Sequence, residues 1–571
     1  MSPLPDLNQF IATIARRLQV IYKDDFSEGH INRILGWISY YGTRAQPAKP
    51  WDEKDIVLIT YTNTLVKPGE KPLRTLYRFL HGQLGESVSC VHLLPFFPFT
   101  SDDGFAVSDF MTVNPSLGDW TDVTQITKEF GLMADLVINH VSTSHAWFLN
   151  YLQDGAPGKG YFIEAESGTD YSRVVRPRNT PLFTRFKTSH GMRDVWTTFS
   201  DDQADLNFAN PDVLIEMIRV LLFYISQGVR IVRLDAIAYL WKKAGTNCIH
   251  LPETHEIVKL LRDILSYINP GVLLLTETNV PNRENWSYFG ENDEAHIVYQ
   301  FGLPPLLLHA LFTGNSEFLT RWAKEIPDTQ PGQTFLNYTA SHDGIGVRPL
   351  EGLLPSAEIK NLTEAMVAFG GRISEKTNPD GSSGPYEINI TYLDAMKGDL
   401  NGIDSLQMAR FICSQTIMMS FRGIPAFYIH SLIGTSNDYE GMRTTGRARS
   451  INRKTWPENE LMDLLSKETM NRMIFNELRR LLKVRRISKA FHPDCPMKLL
   501  ELGSELFAFV RGYAGTGEIL CVSNLTQRSL VLPPSIVPGK QGYDLISPDN
   551  RFLLSESIPL SAYQTRWILI D

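Results

Sequence analysis

The sequence predicts an α/β fold, a (β/α)8 or TIM barrel with two insertions and a small antiparallel β domain at its C-terminus. Short β-branched or apolar runs alternate with helical stretches eight times between residues 56 and 429. Alternating βα units form a parallel sheet, and eight of them close into a barrel. The chain has 571 residues, which leaves room for further domains beside a barrel of about 250 residues.

Composition and charge narrow the class of protein. Hydrophobic residues make up 43% and charged residues 21%, which is typical of a globular chain with a large core. The net charge of −8 argues against a nucleic-acid-binding surface, which would be basic. Five widely spaced cysteines without a CxxC pair indicate a reducing compartment. With no signal-peptide pattern and no apolar run near 18 residues, we expect a cytoplasmic protein with no membrane partner.

The elements follow in order along the chain. Residues 1–50 predict a helical extension, because FIATIARRLQVIY and HINRILGWISYY repeat apolar residues at intervals of three and four. The barrel is predicted over residues 51–141 and 209–490. Its eight strands are predicted at residues 56–61, 91–95, 132–138, 229–234, 272–276, 296–301, 334–338 and 424–429.

Two long connections predict insertions into the barrel. Residues 142–208, rich in Gly, Pro, Arg and aromatic residues, form an inserted domain after the third strand. A second insertion, residues 350–395, contains the turn cluster NPDGSSGPYEIN. The glycines at 379–384 follow no strand–helix pattern, so we interpret them as a loop and not as a nucleotide site. Short alternating strands in LFAFVRG, EILCVSNL, RSLVL and RWILI predict the β domain at 491–571.

Polar residues at the ends of the predicted strands indicate the active site. In such barrels the site lies at the C-terminal ends of the strands. Five of the eight ends carry an acid or a histidine, namely Asp102-Asp103, Asn139-His140, Asp235, Glu277 and His342-Asp343. An isolated acid after a strand is common, but convergence of five such ends predicts a functional pocket.

Paired carboxylates in one pocket favour cleavage of a glycosidic bond. Adjacent strand ends are about 4.8 Å apart, so Asp235 and Glu277 are predicted to face each other. A separation of about 5–5.5 Å gives a covalent intermediate and retention of configuration. Crowded carboxylates and burial would raise the pKa of the group that acts as acid.

Four motifs in order, DLVINH (135–140), RLDA (233–236), TETN (276–279) and SHD (341–343), resemble the signature regions of glycoside hydrolase family 13, the α-amylase family. The resemblance implies that Asp235 is the nucleophile, Glu277 the acid/base and Asp343 the stabiliser of the transition state. It also implies that Arg233 keeps Asp235 ionised and that His140 and His342 bind glucose hydroxyls. Further substrate-binding candidates are Tyr239 and Phe199.

Other stretches resemble the sucrose-phosphorylase branch of that family. They are LLPFFPFTSDDGF, RLDAIAYLWKKAGTNC, VVRPRNTPLFT and SINR. The resemblance implies that Asp102 and Arg449 clamp the glucose 4-hydroxyl, which would exclude starch; a structural ion pair is the alternative. It also implies that Arg178 and Tyr386 bind phosphate, for which the arginine fork is suited. Alternatively, Arg176 and Arg178 are surface charges.

The chain departs from typical sucrose phosphorylases on the acceptor side. Asn279 stands where a histidine is often found, Glu387 replaces a glutamine, and the helical extension is additional. This combination most resembles the glucosylglycerate phosphorylases, which release D-glycerate and α-glucose 1-phosphate. Candidate cations for the glycerate carboxylate are Arg178, Lys242 and Arg283, whereas Glu387 opposes an anionic acceptor unless a cation pairs with it.

Several alternatives remain open at this point. The acceptor could be fructose, fructose 6-phosphate or glycerol, as in the sucrose, sucrose 6′-phosphate and glucosylglycerol phosphorylases. Water could replace phosphate, as in an α-glucosidase, or the chain could be a binding relative without turnover. Many amylases bind calcium near the asparagine that matches Asn139, but without a dense aspartate cluster we expect no metal here. We expect inorganic phosphate as co-substrate, no cofactor, small-molecule partners and a possible homodimer.

Overall fold

The computed structural model describes residues 6–42, 50–377, 383–515, 517–532, 541–547, 551–553 and 557–570. The predicted helical extension and the predicted turn cluster are therefore described only in part. Residues 1–5 and 43–49 of the first, and residues 378–382 of the second, lie outside the described residues.

Eight parallel strands form a closed barrel, which confirms the predicted fold class. Each strand pairs with its neighbours in sequence, and β1 closes the barrel on β8 through Val57 opposite Ala426. The strands are β1 Val57–Thr60, β2 Cys90–Leu93, β3 Gly131–Val137, β4 Val229–Asp235, β5 Leu273–Thr276, β6 Ile297–Tyr299, β7 Thr334–Asn337 and β8 Ile424–Tyr428.

The strand sequences explain why they occupy the centre of the molecule. Runs such as VLIT in β1, LLLT in β5 and IPAFY in β8 are buried along their whole length. Parallel strands covered by helices on one face and packed side chains on the other are continuously apolar, without the alternation of a half-exposed strand. Polar residues such as Asp235 and Asn337 occur at the strand ends, whereas His92 and Asp135 lie inside β2 and β3.

Seventeen α-helices lie in the described part of the chain, and none of them is long and apolar enough to cross a membrane. They are α1 Leu7–Tyr22, α2 Glu28–Tyr41, α3 Pro72–Phe79, α4 Trp120–Thr127, α5 Ala146–Leu152, α6 Pro211–Ser226, α7 Pro252–Ile268, α8 Asn282–Trp286, α9 Leu303–Thr313, α10 Glu317–Glu325, α11 Ser356–Ala368, α12 Tyr392–Ala395, α13 Gln407–Ser420, α14 Ile429–Leu432, α15 Tyr439–Thr445, α16 Glu458–Ser466 and α17 Met470–Ile487.

The N-terminal helices pack on the outside of the barrel beside the fourth strand. The α1 helix contacts α7, where the Phe10 ring stacks on Tyr267 with centroids 4.0 Å apart. The α2 helix contacts α6. Arg17 fixes α1 further, because its guanidinium pairs with three acids, Glu256, Asp263 and Asp293. The extension thus covers the two helices that flank β4.

The insertions and the C-terminal region form small sheets around the barrel. After β3, the strand His140–Ser142 pairs with Gln203–Asp205, and Phe183–Thr188 forms a hairpin with Gly191–Trp196. After β7, Ser383–Asn389 pairs with Arg372–Thr377 and with Ile345–Gly346. The C-terminal region has a six-stranded antiparallel sheet of Met497–Leu500, Leu506–Arg511, Glu518–Asn524, Thr565–Ile570, Gln541–Asp544 and Arg551–Leu553, and a strand pair Leu530–Leu532 and Ile558–Leu560.

Candidate active site

The polar strand ends meet in one pocket at the C-terminal mouth of the barrel. Its wall contains carboxylates, arginines and histidines from β4, from the connections after β2, β3, β5, β7 and β8, and from both insertions. The lining residues are Asp102, Phe105, His140, Arg178, Phe199, Gln203, Arg233, Asp235, Ala236, Glu277, Asn279, His342, Asp343, Tyr386, Glu387 and Arg449. Most of the predicted site residues therefore lie together.

Asp235 and Glu277 approach the same guanidinium group. An Arg233 Nη1 atom lies 2.7 Å from Asp235 Oδ1, and Arg233 Nη2 lies 3.9 Å from Glu277 Oε2. Burial raises the pKa of both carboxyl groups, and Arg233 opposes this shift. Because Arg233 contacts Asp235 more closely than Glu277, it favours a negative charge on Asp235 more than on Glu277. This is the distribution that a nucleophile and a general acid need.

A left-handed turn directly after Asp235 fixes this geometry. Ala236 has φ 50°, and its backbone N–H donates a hydrogen bond of 3.0 Å to Glu277 Oε2. A residue with a side chain is strained in this region at a cost of about 1–3 kcal/mol, which the surrounding structure must offset. The small side chain in the RLDA motif keeps that strain low and aims the N–H at the acid.

Arg233 is itself held from behind the pocket. Asp135 accepts a hydrogen bond from Arg233 and pairs with His92 Nε2 at 2.7 Å. Burial would raise the pKa of Asp135, but His92 and Arg233 outweigh it and lower that pKa to about 2. The ionised Asp135 therefore orients the guanidinium toward the nucleophile.

Asp343 is stabilised as an anion. Arg449 Nη1 lies 2.7 Å from Asp343 Oδ1, and Arg453 donates to the carbonyl of His342. Burial acts to raise the pKa of Asp343, but Arg449, His342 and Arg453 hold it well below its usual range. The Asn452 amide also donates to the Asp343 carbonyl at 2.9 Å, which fixes the backbone beneath the carboxylate.

The rings of Phe105, His140 and His342 line one part of the pocket. The Phe105 ring stacks on His342 with centroids 4.9 Å apart. Burial lowers the pKa of both His140 and His342, so each presents a neutral imidazole. His140 Nε2 lies 3.1 Å from the Gln203 amide. These groups suit the binding of a sugar ring and its hydroxyls.

Asp102 and Arg449 line the same pocket, but Arg449 forms its ion pairs with Asp343 and Glu387. The loop that carries Asp102 is conformationally unusual. Asp102 has φ 52° and Asp103 φ 51°, and they precede Gly104 with φ 119°. A Cβ atom at Gly104 would lie 2.7 Å from the Pro95 carbonyl oxygen, so only glycine fits there.

The four residues that the sequence analysis proposes for the acceptor side all line the pocket: Arg178, Tyr386, Asn279 and Glu387. The Arg178 guanidinium lies over the Tyr386 ring, 5.9 Å from its centroid. No carboxylate of the described residues lies within ion-pair distance of Arg178. Glu387, in contrast, is buried and pairs with Arg449 at 3.0 Å. The cation that an anionic acceptor requires beside Glu387 is therefore present.

Three candidates lie outside this pocket. Lys242 is buried, and its ammonium group contacts Asp205 Oδ2 at 2.7 Å and Asn139 Oδ1 at 2.6 Å, which corrects its prediction as a phosphate or acceptor ligand. Arg283 is exposed on α8 and does not line the pocket. Tyr239 packs edge-on against Phe199, with centroids 5.6 Å apart, and so supports a lining residue without lining the pocket itself.

The position of Lys242 also bears on the metal site that the family resemblance suggests. A calcium ion near Asn139 would need the oxygens of Asn139 and its neighbours as ligands. In this chain the Lys242 ammonium takes the side-chain oxygen of Asn139 and one oxygen of Asp205. The residues present do not fit a metal at this point. In the described parts of the chain, no three His, Cys, Asp or Glu side chains are grouped for a metal ion.

Four residues of the site were not predicted from the sequence. Phe105 and Gln203 line the pocket, and His92 and Asp135 hold Arg233. Phe105 ends a loop motif, and Asp135 begins DLVINH, so motif position could have indicated both. His92 lies inside an apolar strand and Gln203 inside an insertion. Neither carries a local signal.

The chain was compared with known proteins. The family description "Alpha amylase, catalytic domain" matches residues 83–343. A glucosylglycerate phosphorylase of Escherichia coli strain K12 is 42% identical over 563 residues, which cover 96% of this chain and 98% of that protein. A glucosylglycerate phosphorylase of Spirochaeta thermophila is 46% identical over 534 residues, covering 91% of this chain and 90% of that protein.

Among solved structures, the sucrose 6F-phosphate phosphorylase from Thermoanaerobacter thermosaccharolyticum superposes with a TM-score of 0.72 and 26% identity. The match covers 83% of this chain and 94% of that one. The paired acids of the pocket indicate the same family as the long alignments with relatives of 42% and 46% identity. This chain belongs to the α-amylase family, glycoside hydrolase family 13.

Proposed function

We propose that this chain is a retaining α-glucoside phosphorylase. It transfers a glucosyl group from a small α-glucoside to inorganic phosphate and yields α-D-glucose 1-phosphate. The observation that carries this proposal is an arginine without a carboxylate partner among the described residues, Arg178, in the same pocket as Asp235 and Glu277. Relatives with 42% and 46% identity that are named glucosylglycerate phosphorylases support it.

The reaction proceeds in two displacements. Asp235 attacks the anomeric carbon while Glu277 donates its proton to the departing oxygen, so the acceptor alcohol leaves and a glucosyl ester forms. Phosphate then enters, the Glu277 carboxylate removes a proton from it, and a phosphate oxygen attacks the same carbon. The ester bond to Asp235 breaks, and the second inversion restores the α configuration. Arg178 orients the phosphate through its planar fork.

The donor we propose is 2-O-α-D-glucosyl-D-glycerate. The names of the two relatives support glycerate as the acceptor. In the pocket, Arg449 neutralises Glu387, and Arg178 remains for anionic groups. Among the cations proposed from the sequence for the glycerate carboxylate, Arg178 alone lines the pocket. It is therefore the proposed contact for glycerate in the first step and for phosphate in the second.

The direct test is product analysis with and without phosphate. Glucosylglycerate, sucrose, sucrose 6′-phosphate and glucosylglycerol are supplied in turn, and glucose 1-phosphate and free glucose are quantified. We expect phosphate-dependent glucose 1-phosphate, fastest with glucosylglycerate. Free glucose as the sole product from every donor would show an α-glucosidase instead.

The variant Arg178→Ala tests the arginine that carries the proposal. We expect the KM for phosphate to rise by about tenfold or more, because a charge-assisted contact is lost. Formation of the glucosyl-enzyme, followed as a burst with an activated aryl glucoside, should persist. Asp235→Ala serves as the inactive reference. If Arg178→Ala abolished the burst as Asp235→Ala does, the phosphate role of Arg178 would be wrong.

A further inference from the structure

Glu387 occupies the wall of the pocket with both of its carboxylate oxygens engaged. It is 2% exposed. Its Oε1 atom accepts a hydrogen bond of 2.6 Å from the backbone N–H of Gly344, and Oε2 accepts one of 3.0 Å from Arg449 Nε. Two N–H donors thus converge on one side chain. A carboxylate offers an oxygen to each of them, whereas an amide has only one oxygen.

The Glu387 side chain packs closely against the backbone of Gly344. A Cβ atom at Gly344 would lie 2.6 Å from Glu387 Cγ and 2.6 Å from the Ile388 carbonyl oxygen. Glycine directly after Asp343 therefore lets the Glu387 side chain pack against the loop after β7. The close approach shows that the position of Glu387 is built into the loop.

Arg449 lies between two anions. It contacts Asp343 Oδ1 through Nη1 at 2.7 Å and Glu387 Oε2 through Nε at 3.0 Å. Its single positive charge is thus shared by two carboxylates. Little of that charge remains for an anionic reactant in the pocket.

Arg178 has a different electrostatic environment in the same pocket. Its guanidinium lies over the Tyr386 ring, and the described residues place no carboxylate within ion-pair distance of it. Tyr386 directly precedes Glu387 on the strand Ser383–Asn389. Two adjacent residues of one strand therefore give the two arginines different partners. Arg178 lies over an aromatic ring, whereas Arg449 pairs with a carboxylate.

We propose that Glu387 is a positioning residue that holds Arg449 on Asp343 and neutralises it, so that phosphate binds at Arg178 and not at Arg449. This rests on the proposed function, because phosphate is the anion of that reaction. Glu387 thereby determines which of two arginines in the pocket serves the anionic reactant and which serves Asp343.

The test is a double-mutant cycle on phosphate affinity. The variants are Glu387→Gln, Arg178→Ala and their combination, each assayed with an uncharged aryl α-glucoside as donor. In Glu387→Gln we expect the KM for phosphate to fall by about threefold or more, because an anion has been removed from the pocket. The KM for the uncharged donor should not fall with it, because Glu387 also holds Arg449 on Asp343. The double variant should bind phosphate more tightly than Arg178→Ala alone, because Arg449 then replaces Arg178.

Two control variants distinguish the effect of the Glu387 charge from the effects of its side-chain shape and of removing a carboxylate elsewhere. Glu387→Asp keeps the charge and should retain the KM for phosphate of the unaltered protein. Glu364→Gln removes a carboxylate from the exposed face of α11 and should change neither KM. If Glu387→Gln left the KM for phosphate unchanged, or raised it together with that of the uncharged donor, Glu387 would have only a structural role.

A measurement on the unaltered protein covers the case in which Glu387→Gln does not fold. Phenylglyoxal modification, mapped by mass spectrometry, should reach Arg178, and phosphate should protect it. Protection of Arg449 by phosphate would overturn the proposal. Absence of glucose 1-phosphate from every donor would instead refute the proposed function, so the two failures are distinguishable.

Discussion

In the proposed reaction, Glu277 supplies the proton. Burial raises the pKa of Glu277, Arg233 opposes that shift and Asp343 adds to it. A raised pKa keeps Glu277 protonated, and therefore able to act as acid, to higher pH than an ordinary glutamate. We expect kcat/KM for a donor with a poor leaving group to fall as pH rises through this pKa.

Glu277→Gln is the matching variant. The rate with the poor leaving group should fall by about 100- to 10,000-fold, and the alkaline limb of the pH profile should disappear. An activated aryl glucoside does not need the proton, so its glucosyl-enzyme burst should largely survive. An alkaline limb that persisted in Glu277→Gln would show that another group is the acid.

Lys242 provides a second prediction for a single residue. Its side chain is 3% exposed and pairs with Asp205, which is fully buried. Removing one partner of a buried ion pair typically costs about 3–5 kcal/mol, because the remaining charge has no partner. We expect Lys242→Met to lower the unfolding free energy by about that amount, measured by urea denaturation.

The neighbouring Lys243→Met is the control, because Lys243 is exposed. Adding Asp205→Asn to Lys242→Met should restore part of the lost stability. Because Lys242 provides the cation beside Asn139, dialysis against EDTA should change neither the melting temperature nor the rate of the unaltered protein. A loss of stability in EDTA would indicate a metal and would contradict this interpretation.

The N-terminal helices α1 and α2 stabilise the side of the barrel next to β4. Arg17 in α1 pairs with Glu256 and Asp263 of α7 and with Asp293, all partly exposed. The Tyr22 hydroxyl donates to the Phe208 carbonyl, and its ring packs near Trp241 in the connection after β4. The extension therefore supports the segment that follows the nucleophile.

Arg17→Ala should reduce the free energy of unfolding by about 2 kcal/mol. This lies between the typical stabilisation by an exposed ion pair and that by a buried one, because the three acids are partly exposed. Arg16→Ala is the matched control, since Arg16 is the adjacent, exposed arginine of the same helix. Denaturant titrations of both variants give the comparison. Equal effects of the two substitutions would show that the three ion pairs contribute nothing specific.

For the whole molecule, the arrangement of barrel and insertions limits the length of the donor. The pocket is a cavity of about 80 Å³, and Asp102, Arg449 and residues of both insertions are among those that line it. If glucose binds against Asp102 and Arg449, as the family resemblance implies, these side chains occupy the space that the next unit of a longer glucan would need. We expect soluble starch and maltotriose to yield less than about 1% of the glucose 1-phosphate rate of a disaccharide-sized donor.

The measurement is the phosphate-dependent release of glucose 1-phosphate from each donor, at equal concentrations of non-reducing glucosyl residues. Glucosylglycerate provides the reference rate. Starch phosphorolysis at a comparable rate would mean that the pocket opens at its glucose end and that the clamp of Asp102 and Arg449 does not close it.

The sequence by itself determined the barrel and the catalytic acids. Both depend on local patterns: continuous apolar runs such as LLLT, and polar residues such as Asp235 and Glu277 directly after them. Side chains at the C-terminal ends of barrel strands face the active-site mouth, so position in the sequence was sufficient for these two acids.

Only the tertiary structure decided which partner each charge takes. Lys242 pairs with Asp205, and Arg449 pairs with Asp343 and Glu387, across long separations in the chain. Such choices depend on burial and on distances between different loops, which no local pattern contains. For this reason the lysine proposed for the acceptor proved to be a buried structural cation, and the glutamate expected to repel an anion proved to be neutralised by an arginine.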